Sequence, residues 1–236
     1  MAYSDLTPAW LTGVEEPPLV EVSSGLRLHP DAGAAFLQLA AKAKTQGIEL
    51  RLVSAWRGFA QQARIWQAKW RGERPVYDAQ SGVVDLSTLS ITEKAEAIML
   101  YSALPGTSRH HWGSDFDWYD AAAVPADYRP QLLPEEYQQG PFQHACEFIA
   151  AHAADVGFYA PYAAYQGGVA PEPWHLSFMP LARECTSQLT PALVHHALLH
   201  SELDDKAQLI ALLPEIFQRF VQNVAAMPEP SQLAKG

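Results

Sequence analysis

Two short polar stretches, far apart along the chain, place the strongest constraint on the fold. The first reads SRHHWGSDFD, and the second, more than fifty residues later, reads PEPWHLSF. The first supplies His110 and Asp117 around a glycine that permits a tight turn, and the second supplies Glu172 and His175. Each stretch alone is compatible with a hydrated loop or with half of a metal site. A complete site requires a fold that brings the two stretches together.

The residue types in these stretches are the ligands that zinc prefers. Zinc binds His nitrogen and carboxylate oxygen, and a catalytic site takes three protein ligands and leaves a fourth position for water. His110, Asp117 and His175 are three such ligands. If His175 enters a strand, Glu172 lies at the mouth of the site, close enough to act on that water. We therefore predict a catalytic metal site, and the alternative is a satisfied polar cluster.

The spacing of apolar residues predicts an α+β fold. Helices are predicted within residues 29–47, 55–70, 90–106 and 141–157, and strands within 48–54, 116–118 and 173–179. Ser90 and Glu93 are spaced as a capping box. More helices are predicted after Pro180. This order indicates a small antiparallel sheet that carries the zinc site, flanked by helices, with a C-terminal helical extension.

Charge and hydropathy exclude two classes of partner. The formal net charge is −10 and Lys and Arg form no cluster, so nucleic acid is not an expected partner, because phosphate binding needs a basic face. No stretch approaches the ~20 apolar residues that span a bilayer. The N-terminus has neither a basic start nor an apolar run, which predicts a cytoplasmic protein. Removal of a signal peptide would instead place the protein in the periplasm or the cell wall.

In order and spacing, the motifs resemble the VanY-type zinc D-Ala-D-Ala carboxypeptidases. The shared pattern is Ser-x-His-x-x-Gly-x-x-x-Asp followed by Glu-x-x-His, with Trp directly before the last His. The upstream SAWRGFAQQ is similar to the family's Ser-x-x-Arg segment. The wider group includes lysostaphin-like enzymes and the hedgehog signalling domain. The resemblance implies that His110, Asp117 and His175 hold Zn²⁺, that Glu172 is the catalytic base and that Arg57 lies in the substrate pocket.

The resemblance covers roughly Leu26 to Met179 and predicts three units. Residues 1–25 would form an N-terminal arm, extended or loop-like, 26–180 the zinc carboxypeptidase-like domain, and 181–236 a helical extension and tail. The extension carries an apolar stripe that suits packing on the core or on a partner: Leu209, Leu212, Leu213, Ile216 and Phe220.

Several residues near the motifs have more than one possible role. His111 would orient substrate or stabilise the charged intermediate, or would replace His110 as the ligand. Ser108 would contact substrate or cap the loop. Gln62 would line the substrate pocket or lie on a helix surface. Asp115 would orient His110 or His111, or point to solvent.

A second pair of histidines has the spacing of a zinc motif but lacks its acid. His196 and His200 stand at i, i+4 on a predicted helix, and Ala197 occupies the position where HExxH needs glutamate. We interpret this pair as a histidine-rich helix face without chemistry.

The resemblance implies a zinc peptidase that hydrolyses a small D-alanine-containing peptide, such as a peptidoglycan stem peptide or a muropeptide. D,D-carboxypeptidase, L,D-carboxypeptidase, dipeptidase and endopeptidase all stay open, because the choice depends on pocket depth. The competing hypothesis is a non-catalytic, zinc-stabilised module that binds a peptide or glycan. Glu172 beside a three-ligand site favours the enzyme, since a structural zinc usually has four protein ligands.

Overall fold

The computed structural model describes residue 3 and residues 5–228, and it confirms the predicted α+β class. β1 (Val20–Ser23) and β2 (Leu26–Leu28) form a two-stranded antiparallel sheet. The main sheet is also antiparallel and has the order β3-β4-β6-β5. Its strands are β3 (Leu50–Ser54), β4 (Asp115–Asp120), β5 (Phe158–Tyr159) and β6 (His175–Phe178).

Helices surround the main sheet. In chain order they are α1 (Pro8–Leu11), α2 (Pro30–Lys44), α3 (Phe59–Trp70), α4 (Ile91–Met99), α5 (Pro134–Gln138), α6 (Gln143–His152), α7 (Met179–Gln188), α8 (Pro191–Leu199), α9 (Lys206–Ala211) and α10 (Leu213–Ile216). A π-helical turn, Phe217–Val221, follows α10. Single 3₁₀ turns lie at Leu86–Thr88, Arg109–Trp112, Ala121–Ala123 and Ala154–Val156.

The predicted capping box of α4 is present, but the helix ends earlier than predicted. Ser90 and Glu93 bond reciprocally at its N-terminus. The helix stops at Met99 and does not reach Pro105. One reason is that the next carbonyl, of Leu100, accepts a hydrogen bond from the Ala170 backbone N–H at 2.9 Å, which holds the chain against a distant loop.

The N-terminal arm, predicted to be extended or loop-like, contains a short helix within its described residues. Thr7 caps α1, and Trp10 and Leu11 are buried. The Trp10 indole donates to the Trp112 carbonyl at 3.2 Å, and the Trp112 indole donates to the Leu11 carbonyl at 3.1 Å. Buried indole N–H groups need such partners, so this segment packs against the first polar motif.

The main sheet separates the apolar core from the polar site. Alternation along β4 places Phe116 and Trp118 on one face and Asp115 and Asp117 on the other. Phe116 packs edge-on against Phe36 of α2, with ring centroids 5.2 Å apart. The apolar face therefore anchors the sheet, while the opposite face carries the two carboxylates.

The C-terminal helices fold back onto the rest of the chain. The predicted boundary after residue 180 falls in the first turn of α7. Asp205 accepts a hydrogen bond from the Trp70 indole at 2.9 Å, and Arg219 pairs with Glu96 at 2.5 Å. The apolar stripe packs on the core of the same chain. Leu212 is partly buried there, and four residues of the stripe are buried: Leu209, Leu213, Ile216 and Phe220. The division into three units stays a prediction.

The helices of residues 5–228 include none that combines the length and apolar character needed to cross a bilayer.

We expect Trp10→Ala to lower the free energy of unfolding by about 3–5 kcal/mol, the usual cost of removing a buried Trp side chain. Val14→Ala in the same segment is the matched control, because Val14 is 61% exposed and such changes cost less than about 0.5 kcal/mol. Urea unfolding followed by circular dichroism measures both. Equal, small effects would show that the segment is a loose arm.

Candidate active site

One row of residues across the main sheet joins the two polar motifs. Antiparallel pairing places Ser54 of β3 opposite Asp117 of β4, and Asp117 opposite His175 of β6. Directly opposed residues project on the same face of a sheet. A bulge between Leu52 and Ser54 adjusts the β3 register at this row. The sheet thus brings Asp117 of the first motif to His175 of the second.

His110 completes a buried cluster with these two residues. The candidate ligand atoms of His110, Asp117 and His175 all lie within 4.8 Å of one another. Asp117 Oδ2 is 3.5 Å from His110 Nε2, and Asp117 Oδ1 is 3.2 Å from His175 Nδ1. Zinc bonds of about 2.0–2.1 Å in a tetrahedron place ligand atoms roughly 3.3 Å apart. The donor set and its spacing therefore fit zinc.

Hydrogen bonds to groups outside the cluster leave one ring nitrogen of each histidine facing the other cluster residues. His110 Nδ1 lies 2.9 Å from the Ala55 carbonyl oxygen, which can only accept, so the ring proton is on Nδ1 and the Nε2 lone pair points into the cluster. His175 Nε2 lies 2.9 Å from Asp115 Oδ1, which leaves His175 Nδ1 toward the cluster. Such outer partners fix the tautomer and the orientation of a ligating histidine.

Asp115 orients His175, and not His110 or His111 as the sequence had suggested. It is 0% exposed and does not point to solvent. Arg109 Nε donates to Asp115 Oδ1 at 2.9 Å, and Ser177 Oγ donates to Oδ2 at 3.0 Å. Burial alone would raise the pKa of Asp115, but the Arg109 charge lowers it below its usual range. The carboxylate stays ionised beneath the cluster.

Arg109 is a functional neighbour that the sequence analysis missed. Its guanidinium is buried, and Nη2 also donates to the Tyr159 hydroxyl and to Ser177 Oγ, each at 2.8 Å. An arginine next to a candidate ligand in the sequence does not by itself indicate a role in the site. Only the pairing of β4 with β6 shows that Arg109 meets Asp115 under His175.

The electrostatics of the cluster favour a cation. Burial lowers the pKa of His110 to about 3, so this ring is neutral and available as a ligand. Burial would also lower the pKa of His175, but hydrogen bonds and charge from Asp115 and Asp117 raise it to about 10. The carboxylates around His175 thus stabilise positive charge, which a proton or a metal ion can supply.

Glu172 lies beside this cluster. Its Oε2 is 3.4 Å from His175 Nδ1, and the His175 backbone N–H donates to the Glu172 carbonyl at 3.1 Å. Burial raises the pKa of Glu172 to about 8, helped by Asp117 and opposed by the charges of His175, Lys69 and Arg57. A carboxyl group with such a pKa can exchange protons near neutral pH.

Arg57 reaches the same cavity and is held by two side chains. Its Nη1 donates to Gln62 Oε1 and its Nη2 to Ser54 Oγ, both at 2.7 Å. Gln62 Nε2 donates to the Ala103 carbonyl at 2.6 Å. Gln62 is 0% exposed and is not among the residues that line the cavity. Gln62 therefore lies neither on the helix surface nor in the lining of the pocket, the two positions predicted for it. It contacts and orients Arg57.

The structure does not bring His111 to the cluster. His111 Nδ1 lies 2.6 Å from the Arg57 carbonyl oxygen, and Nε2 accepts the Gly106 backbone N–H at 3.1 Å. Both ring nitrogens are thereby occupied, and His111 is 0% exposed. Gly13, at φ +74°, lies so close that a Cβ there would overlap this ring. Ser108, in contrast, lines the cavity and makes no capping hydrogen bond.

The turn that carries His110 is fixed by its backbone. Each of the four consecutive carbonyl oxygens of residues 110–113 accepts a hydrogen bond from another part of the chain. The donors, in the same order, are Arg57 N at 3.1 Å, Trp56 Nε1 at 3.1 Å, Trp10 Nε1 at 3.2 Å and His29 N at 2.9 Å. The candidate ligand His110 is therefore held in place by the fold itself.

A cavity of about 450 Å³ opens onto the cluster. The four residues of the two motifs, His110, Asp117, Glu172 and His175, line it together with Arg57 and Ser108. Other lining residues are Lys69, Arg74, Tyr77, Tyr101 and Leu132, and Phe220 of the C-terminal extension contributes to the wall. His196 and His200 are not part of the cluster.

Comparisons with known proteins agree with this geometry. Residues 25–181 match the VanY family profile, described as D-alanyl-D-alanine carboxypeptidase. An uncharacterized protein of Haemophilus influenzae is 32% identical over 121 residues, which is 50% of this chain and 92% of that protein. VanYB in complex with D-Alanine-D-Alanine has 18% identity over 79% of this chain and 91% of its own, with a TM-score of 0.51. The LdcB LD-carboxypeptidase has 21% identity over 75% and 77%, with a TM-score of 0.50.

At these identities the two solved structures support the fold, whereas the family profile covers well over half of the sequence. The chain belongs to the VanY family of D-alanyl-D-alanine carboxypeptidases.

Proposed function

We propose that the protein is a zinc peptidase that removes D-alanine from small peptidoglycan peptides, as a D-Ala-D-Ala or L,D-carboxypeptidase. One observation carries the proposal: a buried carboxyl group, Glu172, lies 3.4 Å from the ligand atom of His175 inside a cavity. A structural zinc site is closed by four protein ligands and does not need a further carboxyl group beside it. Membership of the VanY family supports the same reaction class.

The residues present can hold zinc in the cavity. His110 would bind through Nε2, His175 through Nδ1 and Asp117 through its carboxylate, which leaves room for a water ligand. Zinc in such a site lowers the pKa of water and polarises the scissile carbonyl group.

Glu172 is suited to both proton transfers of peptide hydrolysis. It would take the proton of the attacking water and then deliver a proton to the leaving amine. Burial raises the pKa of Glu172 to about 8 in the metal-free protein, so this carboxyl group takes up a proton more readily than an exposed glutamate does.

Arg57 supplies positive charge to the substrate. Because Gln62 and Ser54 already hold the guanidinium, it is preorganised either for the terminal carboxylate of the peptide or for the negative charge of the tetrahedral oxygen. Ser108, which lines the same cavity, adds a hydroxyl group that can bond the substrate.

We expect the zinc-loaded protein to remove one D-alanine from a stem pentapeptide, and a chelator to abolish the reaction. Mass spectrometry of the products measures the loss, and the tetrapeptide tests L,D-activity in parallel. Release of a dipeptide would indicate a dipeptidase or endopeptidase instead. If zinc is bound stoichiometrically and neither peptide is cleaved at any bond, the proposal fails and the binding-module hypothesis takes its place.

We expect two substitutions to separate metal binding from turnover. Glu172→Ala should bind zinc and lose activity by at least about 100-fold, the lower range for a general acid–base. His175→Ala should lose zinc, because it removes a ligand. Metal analysis of the purified variants together with peptide assays checks both outcomes, and a zinc-free Glu172→Ala would contradict the role of Glu172.

We expect Asp115→Asn to weaken zinc binding by about 10–100-fold, because it changes the group that orients His175. Asp120→Asn is the matched control. Asp120 is a buried acid on the same strand, 4% exposed, but it accepts hydrogen bonds from the Glu49 and Ala122 backbone N–H groups. Chelator competition measures the zinc affinity of both. Equal affinities would show that Asp115 serves folding alone.

A further inference from the structure

Lys69 is a cation in the cavity that the proposed chemistry does not use. It lies in the last turn of α3, lines the cavity, and donates to Ser102 Oγ at 2.6 Å. Among residues 5–228, no carboxylate forms an ion pair with it. Elsewhere on the described chain several cations are paired: Arg27 with Glu16, Lys42 with Asp155, Arg71 with Asp204 and Arg219 with Glu96.

Glu172 is the carboxylate whose charge acts most on Lys69, but within residues 5–228 the two side chains form no ion pair. Asp78 lines the same cavity, but its Oδ1 accepts hydrogen bonds from the Gln80 and Gly82 backbone N–H groups, each at 2.8 Å. It is therefore committed to its own turn. Arg74, which is exposed and also lines the cavity, adds a second positive charge. A partly buried ammonium group that no carboxylate contacts costs free energy, which an anionic ligand would recover.

The position of Lys69 along α3 indicates which residue of a bound peptide would reach its ammonium group. α3 begins directly after the Arg57 segment, and Lys69 lies ten residues beyond Phe59, so the two ends of the helix are about 15 Å apart. The lysine side chain tilts back toward the helix N-terminus. An extended peptide advances roughly 3.3–3.6 Å per residue. A peptide that starts at the metal cluster would bring a residue two to four positions away to the ammonium group.

We propose that Lys69, with Ser102 beside it, binds a carboxylate side chain of the substrate on the amino side of the scissile bond. The inference rests on the proposed peptidase function and narrows it to acidic peptides. It explains why an otherwise acidic protein keeps unpaired cations in its cavity. Burial also lowers the pKa of Lys69 to about 8, and a bound carboxylate would raise it again.

Paired peptides test the inference. The probes are pentapeptides ending in D-Ala-D-Ala that carry glutamate at one of the three preceding positions, each with its glutamine counterpart. Calorimetry with the zinc-loaded Glu172→Gln protein measures peptide binding without turnover. The value of kcat/KM is measured with protein that retains Glu172. We expect at one position a preference for glutamate of about 10-fold or more, the usual strength of a hydrogen bond to a charged group.

Substitutions then assign that preference to one side chain. Lys69→Met should reduce the glutamate-to-glutamine ratio to about one. Lys69→Arg should keep the ratio. Lys94→Met is the matched control, because Lys94 lies over the Trp70 ring and outside the cavity; it should also keep the ratio.

The outcomes separate this inference from the proposed function. Equal binding of both peptides at all three positions, or a preference that survives Lys69→Met, overturns the carboxylate site even if both peptides are cleaved. A Lys69-dependent preference in calorimetry, with no cleavage of any peptide by the wild-type protein, supports the carboxylate site and rejects the peptidase function.

Discussion

The register of β4 against β6 is the constraint on which the site depends. It places Asp117 opposite His175 and Asp115 opposite Ser177, so that all four side chains share one face of the sheet. A slip of one residue would turn them to the apolar face. The same row continues to Ser54, which holds Arg57. One pairing therefore positions both the carboxylate and one histidine of the candidate metal cluster, and it connects them to Arg57.

Beneath this row, the buried ion pair of Arg109 and Asp115 orients the His175 ring. Arg109 and Asp115 are both almost completely shielded from water, where an incompletely bonded ion pair would be destabilising. Hydrogen bonds to Ser177 and His175 occupy the remaining carboxylate positions. The contacts that bond the Asp115 carboxylate also fix His175, so the buried charge and the orientation of the histidine depend on one set of bonds. Arg109 Nη1 has no hydrogen-bond partner among the described residues. The apolar face of β4, packed on α2, keeps this set rigid.

Much of the site could be predicted from sequence, because ligand types and spacing are local properties. His110, Asp117, His175 and Glu172 were predicted in this way to belong to one site, and the fold brings them together. Helices with clear caps and apolar faces were predicted in the same way. The roles of Asp115, His111 and Gln62 depend on which strand or loop lies opposite, and no pattern within one segment encodes that.

The N-terminal segment illustrates the same limit. Its prolines suggest a loop, but the partner of the Trp10 indole lies more than a hundred residues away. The wall residue Phe220 has a further consequence, which concerns the order of synthesis. Domains fold as the chain emerges, N-terminal part first, and all of the candidate metal ligands precede the segment that carries Phe220. During synthesis the three candidate ligands therefore emerge before Phe220, so the wall of the cavity is the last part of the site to be completed.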